Sequence, residues 1–197
     1  MTVVTLYTVA KTAVKLALTP VYRIQVLGME HFPKEGGVLL CANHIDNLDP
    51  PVVGITSKRP VRFMAKEELF KTKWTGKLMR GLNAFPVKRG MSDREALRSG
   101  LKMLKEGQVL GLFPEGTRSK NGQLGKGLSG AGFFALRTDA AVVPCAVIGP
   151  YKIGRKLKVV YGPPIDMSEL RAKKASAEEA TETIMNAIGR LIQEHSV

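Results

Sequence analysis

Three uninterrupted apolar runs constrain the fold most: VLLCA at 38–42, VLGLF at 109–113 and AVVPCAVI at 141–148. Runs this short, bounded by glycine, proline and charged residues, read as buried strands. Weaker strand patterns lie at 21–27, 61–65, 84–88 and 156–161. Helical periods separate them. Asp93 caps a helix over 93–106 that stops at Gly107 and buries Ala96, Leu97, Met103 and Leu104. Prolines open a short helix at 50–57, a basic helix covers 66–81, and residues 133–137 are helical. Ser176 caps a last amphipathic helix that uses Ile184, Ile188, Leu191 and Ile192. Strands alternating with helices predict an α/β fold, a mixed central sheet flanked by helices. A chain of 197 residues fits one such domain, and no repeat or hinge divides it.

The N-terminus stands apart. Thr8, Lys11, Thr12, Lys15 and Thr19 recur at three- and four-residue steps, with Leu6, Ala10, Ala13, Val14, Ala17 and Leu18 largely opposite. This is an amphipathic helix over residues 1–20, followed by the α/β domain over 21–197. It either docks on the protein's own core or lies flat in a membrane interface. No apolar run reaches the ~18–20 residues needed to span a bilayer.

Thirty Lys and Arg against seventeen acids give a formal net charge of +13. Such a surface favours anionic partners: nucleic acid, acidic lipid, phosphorylated substrates or an acidic carrier protein. A nucleic-acid module is the rival reading, but helix-turn-helix, RRM and zinc-finger signatures are all missing. Cys41 and Cys145 lie in apolar runs, which suits buried free thiols in a reducing compartment. No Cys/His grouping has metal spacing, so no metal site is expected.

The stretch NHIDNLDPP at 43–51 raises a chemical question, because it puts one of only three histidines where a strand ends. Strand ends are where α/β proteins place chemistry. A neutral imidazole takes a proton near neutral pH and needs a carboxylate to orient it. Asp46 and Asp49 both qualify. Along a continuous helix, His44 and Asp49 would face apart, so that pairing depends on a turn. Each acid also has a structural alternative: Asp49 before two prolines suits a helix N-cap, and Asp46 suits a turn.

The rest of the chain adds three blocks: GLNAFPVKR at 81–89, FPEGTRS at 113–119 and VVPCAV at 142–147. With His-x4-Asp at His44 and Asp49, these four resemble, in order, the signature blocks of the glycerolipid acyltransferases. Over about residues 38–150 the chain is similar to the short bacterial 1-acyl-glycerol-3-phosphate acyltransferases. The resemblance weakens before residue 20 and after 165.

That resemblance implies transfer of a fatty acyl group from a thioester, acyl-CoA or acyl carrier protein, to the sn-2 hydroxyl of lysophosphatidic acid, giving phosphatidic acid without a cofactor. It implies His44 as the base and Asp49 as its orienting acid. The phosphate falls to Arg118 with Gly116 and Thr117, to Arg89, and to Lys66. Glu115 either fixes Arg118, meets the glycerol hydroxyl or is a structural contact. Backbone N–H groups near the His44 turn are expected to hold the oxyanion. Lyso-ornithine lipid, another lysophospholipid or glycerol 3-phosphate are alternative acceptors, and an inactive membrane scaffold is a further alternative. The substrates place the enzyme on an anionic membrane at the cytoplasmic face, monotopic or peripheral. The N-terminal helix and Trp74, set among lysines at 66–80, would make the contact.

Overall fold

The computed structural model describes residues 6–87, 93–119 and 121–196. Seven strands form one sheet: β1 (Gln25–Leu27), β2 (Val38–Ala42), β3 (Val61–Lys66), β4 (Phe85–Val87), β5 (Val109–Leu112), β6 (Ala141–Ile148) and β7 (Lys158–Tyr161). Their order is β1-β7-β6-β2-β5-β3-β4, and every neighbouring pair is parallel except β6 with β7. The sheet is therefore mixed, and the three long apolar runs are its three central strands. Val38, Leu39, Leu40 and Cys41 of β2 are at most 1% exposed, as expected of a strand covered on both faces.

The helices are α1 (Leu6–Tyr22), α2 (Asp49–Thr56), α3 (Lys73–Gly81), α4 (Arg94–Lys105), α5 (Gly130–Arg137), α6 (Ser168–Ala172) and α7 (Ala177–His195). Side chains of β2 that point one way pack with Val52 and Val53 of α2 and with Tyr161. Those that point the other way pack with Leu104 of α4, Phe134 of α5 and Ile184 and Ile188 of α7. These are the two layers that the period-2 alternation of a strand creates. The expected caps form: Asp93 accepts from the Ala96 N–H and Ser176 from the Glu179 N–H, both at 3.0 Å.

Three elements depart from the sequence reading. The strand pattern at 21–27 shortens to β1, because α1 runs through Pro20 to Tyr22 and is held there by the Leu157 N–H on the Tyr22 carbonyl. The basic helix at 66–81 is two pieces: a 3-10 turn, Glu67–Phe70, then α3. Thr72 divides them, its Oγ1 accepting the Thr75 N–H at the start of α3. The short α6 shows no periodicity that its five residues could carry.

In α1 the protein-facing side is Tyr7, Ala10, Lys11, Val14, Leu18 and Tyr22, while Val9, Leu16 and Val21 face outward with Lys15. This corrects the division of faces expected for the helix. Lys11 points inward because its ammonium donates to the Ser57 carbonyl at 2.6 Å, and burial lowers its pKa. Ala13 and Ala17 are exposed instead. No described helix is long and apolar enough to cross a membrane.

Candidate active site

The parallel strands β6, β2 and β5 lie side by side, so their C-terminal ends open on one edge of the sheet. The segments leaving those ends carry Tyr151, His44 and Phe113 with Glu115. Asn43 closes β2 by pairing its side chain with Val147: Nδ2 donates to the Val147 carbonyl at 2.9 Å, and Oδ1 accepts the Val147 N–H at 2.7 Å. The chain then turns. Asp46 accepts the Leu48 N–H at 2.9 Å through its own carboxylate, the local turn that its type favours.

That turn brings Asp49 back onto His44. Oδ2 of Asp49 lies 2.8 Å from Nδ1 of His44 and also accepts the N–H groups of Ile45 at 2.6 Å and Asp46 at 2.7 Å. Asp49 is wholly buried, whereas the imidazole keeps 13% exposure. Asp49 is thus not a helix N-cap. Leu48 holds that position, and Asp49, as the first helical residue, faces upstream. A buried carboxylate is tolerated because three donors and the imidazole satisfy it: the third donor is the Tyr151 hydroxyl, 2.7 Å from Oδ1.

With Nδ1 turned to the carboxylate, Nε2 is the ring nitrogen that does not face Asp49. The ring stacks on Phe113 at 4.3 Å, and Phe113 stacks on Phe63 at 5.7 Å. His31 and His195 instead bond backbone carbonyls, of Tyr161 and Leu191.

Glu115 is buried, and its oxygens bond backbone donors rather than Arg118. Oε1 accepts the His44 N–H and Oε2 the Gly125 N–H, each at 2.8 Å. It ties the end of β2 to the loop after β5. Gly116 then turns with φ of +66°, a conformation that favours glycine. Thr117 and Arg118 follow, both exposed, and the Ser119 N–H donates to the His44 carbonyl at 2.8 Å. Arg118 is therefore one residue from an anchor on the histidine itself. Thr117, Arg118 and Lys126 line a polar depression of about 360 Å³ beside Glu115. Lys66 ends β3 opposite Val87, and its backbone alone is described. Arg89 lies outside the described residues.

A second cavity, of about 380 Å³ and mostly apolar, starts at Asn47 and Pro50 of the same turn. Its walls include Val14 of α1, Gly54 of α2, Phe63 and Met64 of β3, and Met79 of α3. Phe63 therefore belongs both to this wall and to the aromatic stack that reaches His44.

The N–H groups of His44, Ile45, Asp46, Leu48 and Asp49 are all engaged within the protein. These five donors of the turn expected to hold the oxyanion are committed to its own geometry. Cys41 and Cys145 are free and buried, and burial pushes both thiols far above their ordinary range.

A family model described as Acyltransferase matches residues 23–148. The chain belongs to the acyltransferase family. The match covers β1 to β6 and so contains His44, Asp49 and the Arg118 loop. Among its relatives is a 1-acyl-sn-glycerol-3-phosphate acyltransferase of Bacillus subtilis, 31% identical over 182 residues, which are 87% of this chain and 90% of the relative. A chloroplastic 1-acyl-sn-glycerol-3-phosphate acyltransferase of Arabidopsis thaliana is 32% identical over 74% of this chain but only 41% of its own length. The crystal structure of the LPA acyltransferase PlsC from Thermotoga maritima superposes with a TM-score of 0.70 at 26% identity, covering 94% of this chain and 78% of that one.

Tyr151 carried no chemical pattern in the sequence, and Phe113 stood in the FPEGTRS block with no role read for its ring. Knowledge that β5 and β6 flank β2 would have singled out both, since each lies just beyond its strand's C-terminal end.

Proposed function

We propose that this chain transfers an acyl group from a thioester to the sn-2 hydroxyl of lysophosphatidic acid, giving phosphatidic acid. The observation that carries the reading is the 2.8 Å contact of His44 Nδ1 with Asp49 Oδ2, set beside a loop that presents Arg118. Nε2 of His44 removes the proton as the acceptor oxygen attacks the thioester carbonyl carbon. The tetrahedral intermediate collapses, the C–S bond breaks, and the leaving thiolate takes the proton back from the imidazolium. Asp49 stabilises that imidazolium and holds the ring with Nδ1 protonated. Such a base contributes roughly 10²- to 10⁴-fold. The displacement is direct in this reading, because the Cys41 side chain is buried in β2 and out of reach of a substrate.

Arg118, with Gly116 and Thr117, receives the acceptor phosphate, since a guanidinium binds two phosphate oxygens at once. Arg89 and Lys66 are further phosphate ligands in this reading. The apolar cavity that begins at Asn47 and Pro50 holds a fatty acyl chain, its size and lining being those of a ligand site. The donor is acyl-CoA or acyl carrier protein, both anionic and suited to a net charge of +13.

The enzyme lies on the cytoplasmic face of the membrane, with α1 as the interfacial helix ahead of a single α/β domain; residues 1–5 of the helix expected over 1–20 lie outside the described residues. Leu16 at 73% and Trp74 at 86% exposure support this, next to Lys15, Lys73 and Lys77. Both α1 and α3 border the apolar cavity, so the lipid-facing elements also frame the acyl site. The test is purified protein with lysophosphatidate, lyso-ornithine lipid and glycerol 3-phosphate, each with acyl-CoA and acyl carrier protein donors. Preference for lysophosphatidate supports the reading, and a preference for a phosphate-free acceptor contradicts it.

A further inference from the structure

We infer that Tyr151 is a positioning residue for the reaction, acting on His44 through Asp49. The inference rests on the His44–Asp49 reading above. Asp49 divides its two oxygens: Oδ2 serves His44 and the Ile45 and Asp46 N–H groups, while Oδ1 accepts the Tyr151 hydroxyl at 2.7 Å. Without that fourth bond the carboxylate could pivot about its Cβ–Cγ axis and exchange the oxygen that faces the ring. The hydroxyl fixes the plane and draws charge toward Oδ1, away from the imidazole.

Tyr151 is itself held. Its ring meets Tyr22 of α1 edge-on at 5.4 Å, and the Lys152 N–H closes a turn on the Pro150 carbonyl. The Gly154 N–H donates to the Val21 carbonyl, fastening the same loop to the end of α1. Burial and the adjacent Asp49 charge raise the phenol's pKa, so it stays protonated and donates throughout the working range.

The ionisable groups around this cluster come from four segments. Asp46 and Asp49 flank the ring, Glu115 holds the His44 N–H from the β5 loop, Cys145 lies in β6, and Tyr22 lies in α1. Only Tyr151 donates a side-chain hydroxyl to Asp49 among the described residues. A bare Oδ1 leaves the carboxylate's charge concentrated on the imidazolium, which then keeps its proton to higher pH.

The experiment compares Tyr151→Phe and His44→Ala with the unaltered protein, measuring kcat, KM and the pH dependence of kcat/KM. Phenylalanine preserves the ring contact with Tyr22, and thermal denaturation verifies the fold. Tyr151→Phe should lower kcat about 10-fold, a part of what the base contributes, leave KM for the acceptor unchanged, and move the acid limb of kcat/KM to higher pH. Unchanged kcat and acid limb in Tyr151→Phe, beside an inactive His44→Ala, would overturn the positioning role and leave the dyad standing. Full activity in His44→Ala would remove the dyad and this inference with it.

Discussion

The carboxylate of Glu115 accepts the backbone N–H of His44 at 2.8 Å, and its second oxygen accepts the Gly125 N–H at the same distance. One buried side chain thus fixes the start of the histidine turn and the far end of the loop that carries Arg118. Glu115→Gln keeps the volume but supplies one acceptor oxygen where two are used, turning an amide NH2 toward a backbone donor. Leaving a buried donor unsatisfied costs about 1–3 kcal/mol. For a chain of this size each kcal/mol lowers Tm by roughly 2–4 °C. Thermal denaturation should register that loss together with reduced kcat, and a variant of unaltered Tm would refute the tie.

Arg118 is exposed and its neighbour Ser119 is anchored to the His44 carbonyl. Arg118→Ala should therefore leave the imidazole in place and weaken the hold on phosphate. The expected result is KM for lysophosphatidate raised about 10-fold or more with kcat much less affected, since charge-assisted bonds to phosphate are the strong ones. The effect should shrink as ionic strength rises. An equal loss with a phosphate-free lysolipid would show that the arginine does something else.

Gly54 lines the apolar cavity, and a Cβ there would meet Phe63 at an ordinary 3.8 Å. The site has room for a side chain that the fold can accept and the cavity cannot ignore. Gly54→Leu should shift preference toward shorter acyl donors, measured as relative kcat/KM across a chain-length series. One filled methylene is worth about 0.8 kcal/mol, so each displaced carbon should cost several-fold with the longest chains. A uniform loss across all lengths would place the acyl chain elsewhere.

The central strands were legible because apolar runs buried on both faces have no polar alternation to confuse them: residues 38–42 and 141–148 form the strands expected. The caps Asp93 and Ser176 were legible because a single side chain and the N–H three residues on determine them. Long-range forces decided the rest. Tyr22 is helical, not part of a strand, where Leu157 and Tyr151 hold it. Asp49 had two local readings, and the turn at Asp46 with the distant hydroxyl of Tyr151 decides between them. Glu115 looked like a neighbour of Arg118 in sequence, yet its partners lie 71 residues before it and 10 after it. A side chain's neighbours across the sheet follow from strand order, which no local pattern carries.

The central claim is that His44, oriented by Asp49 at 2.8 Å, removes the acceptor's proton. The most direct test is turnover of His44→Ala with lysophosphatidate and an acyl thioester, beside acceptor affinity measured on the same preparation. The expected result is a fall in kcat of about 10²-fold or more with affinity for lysophosphatidate largely kept. Undiminished turnover in that variant would contradict it.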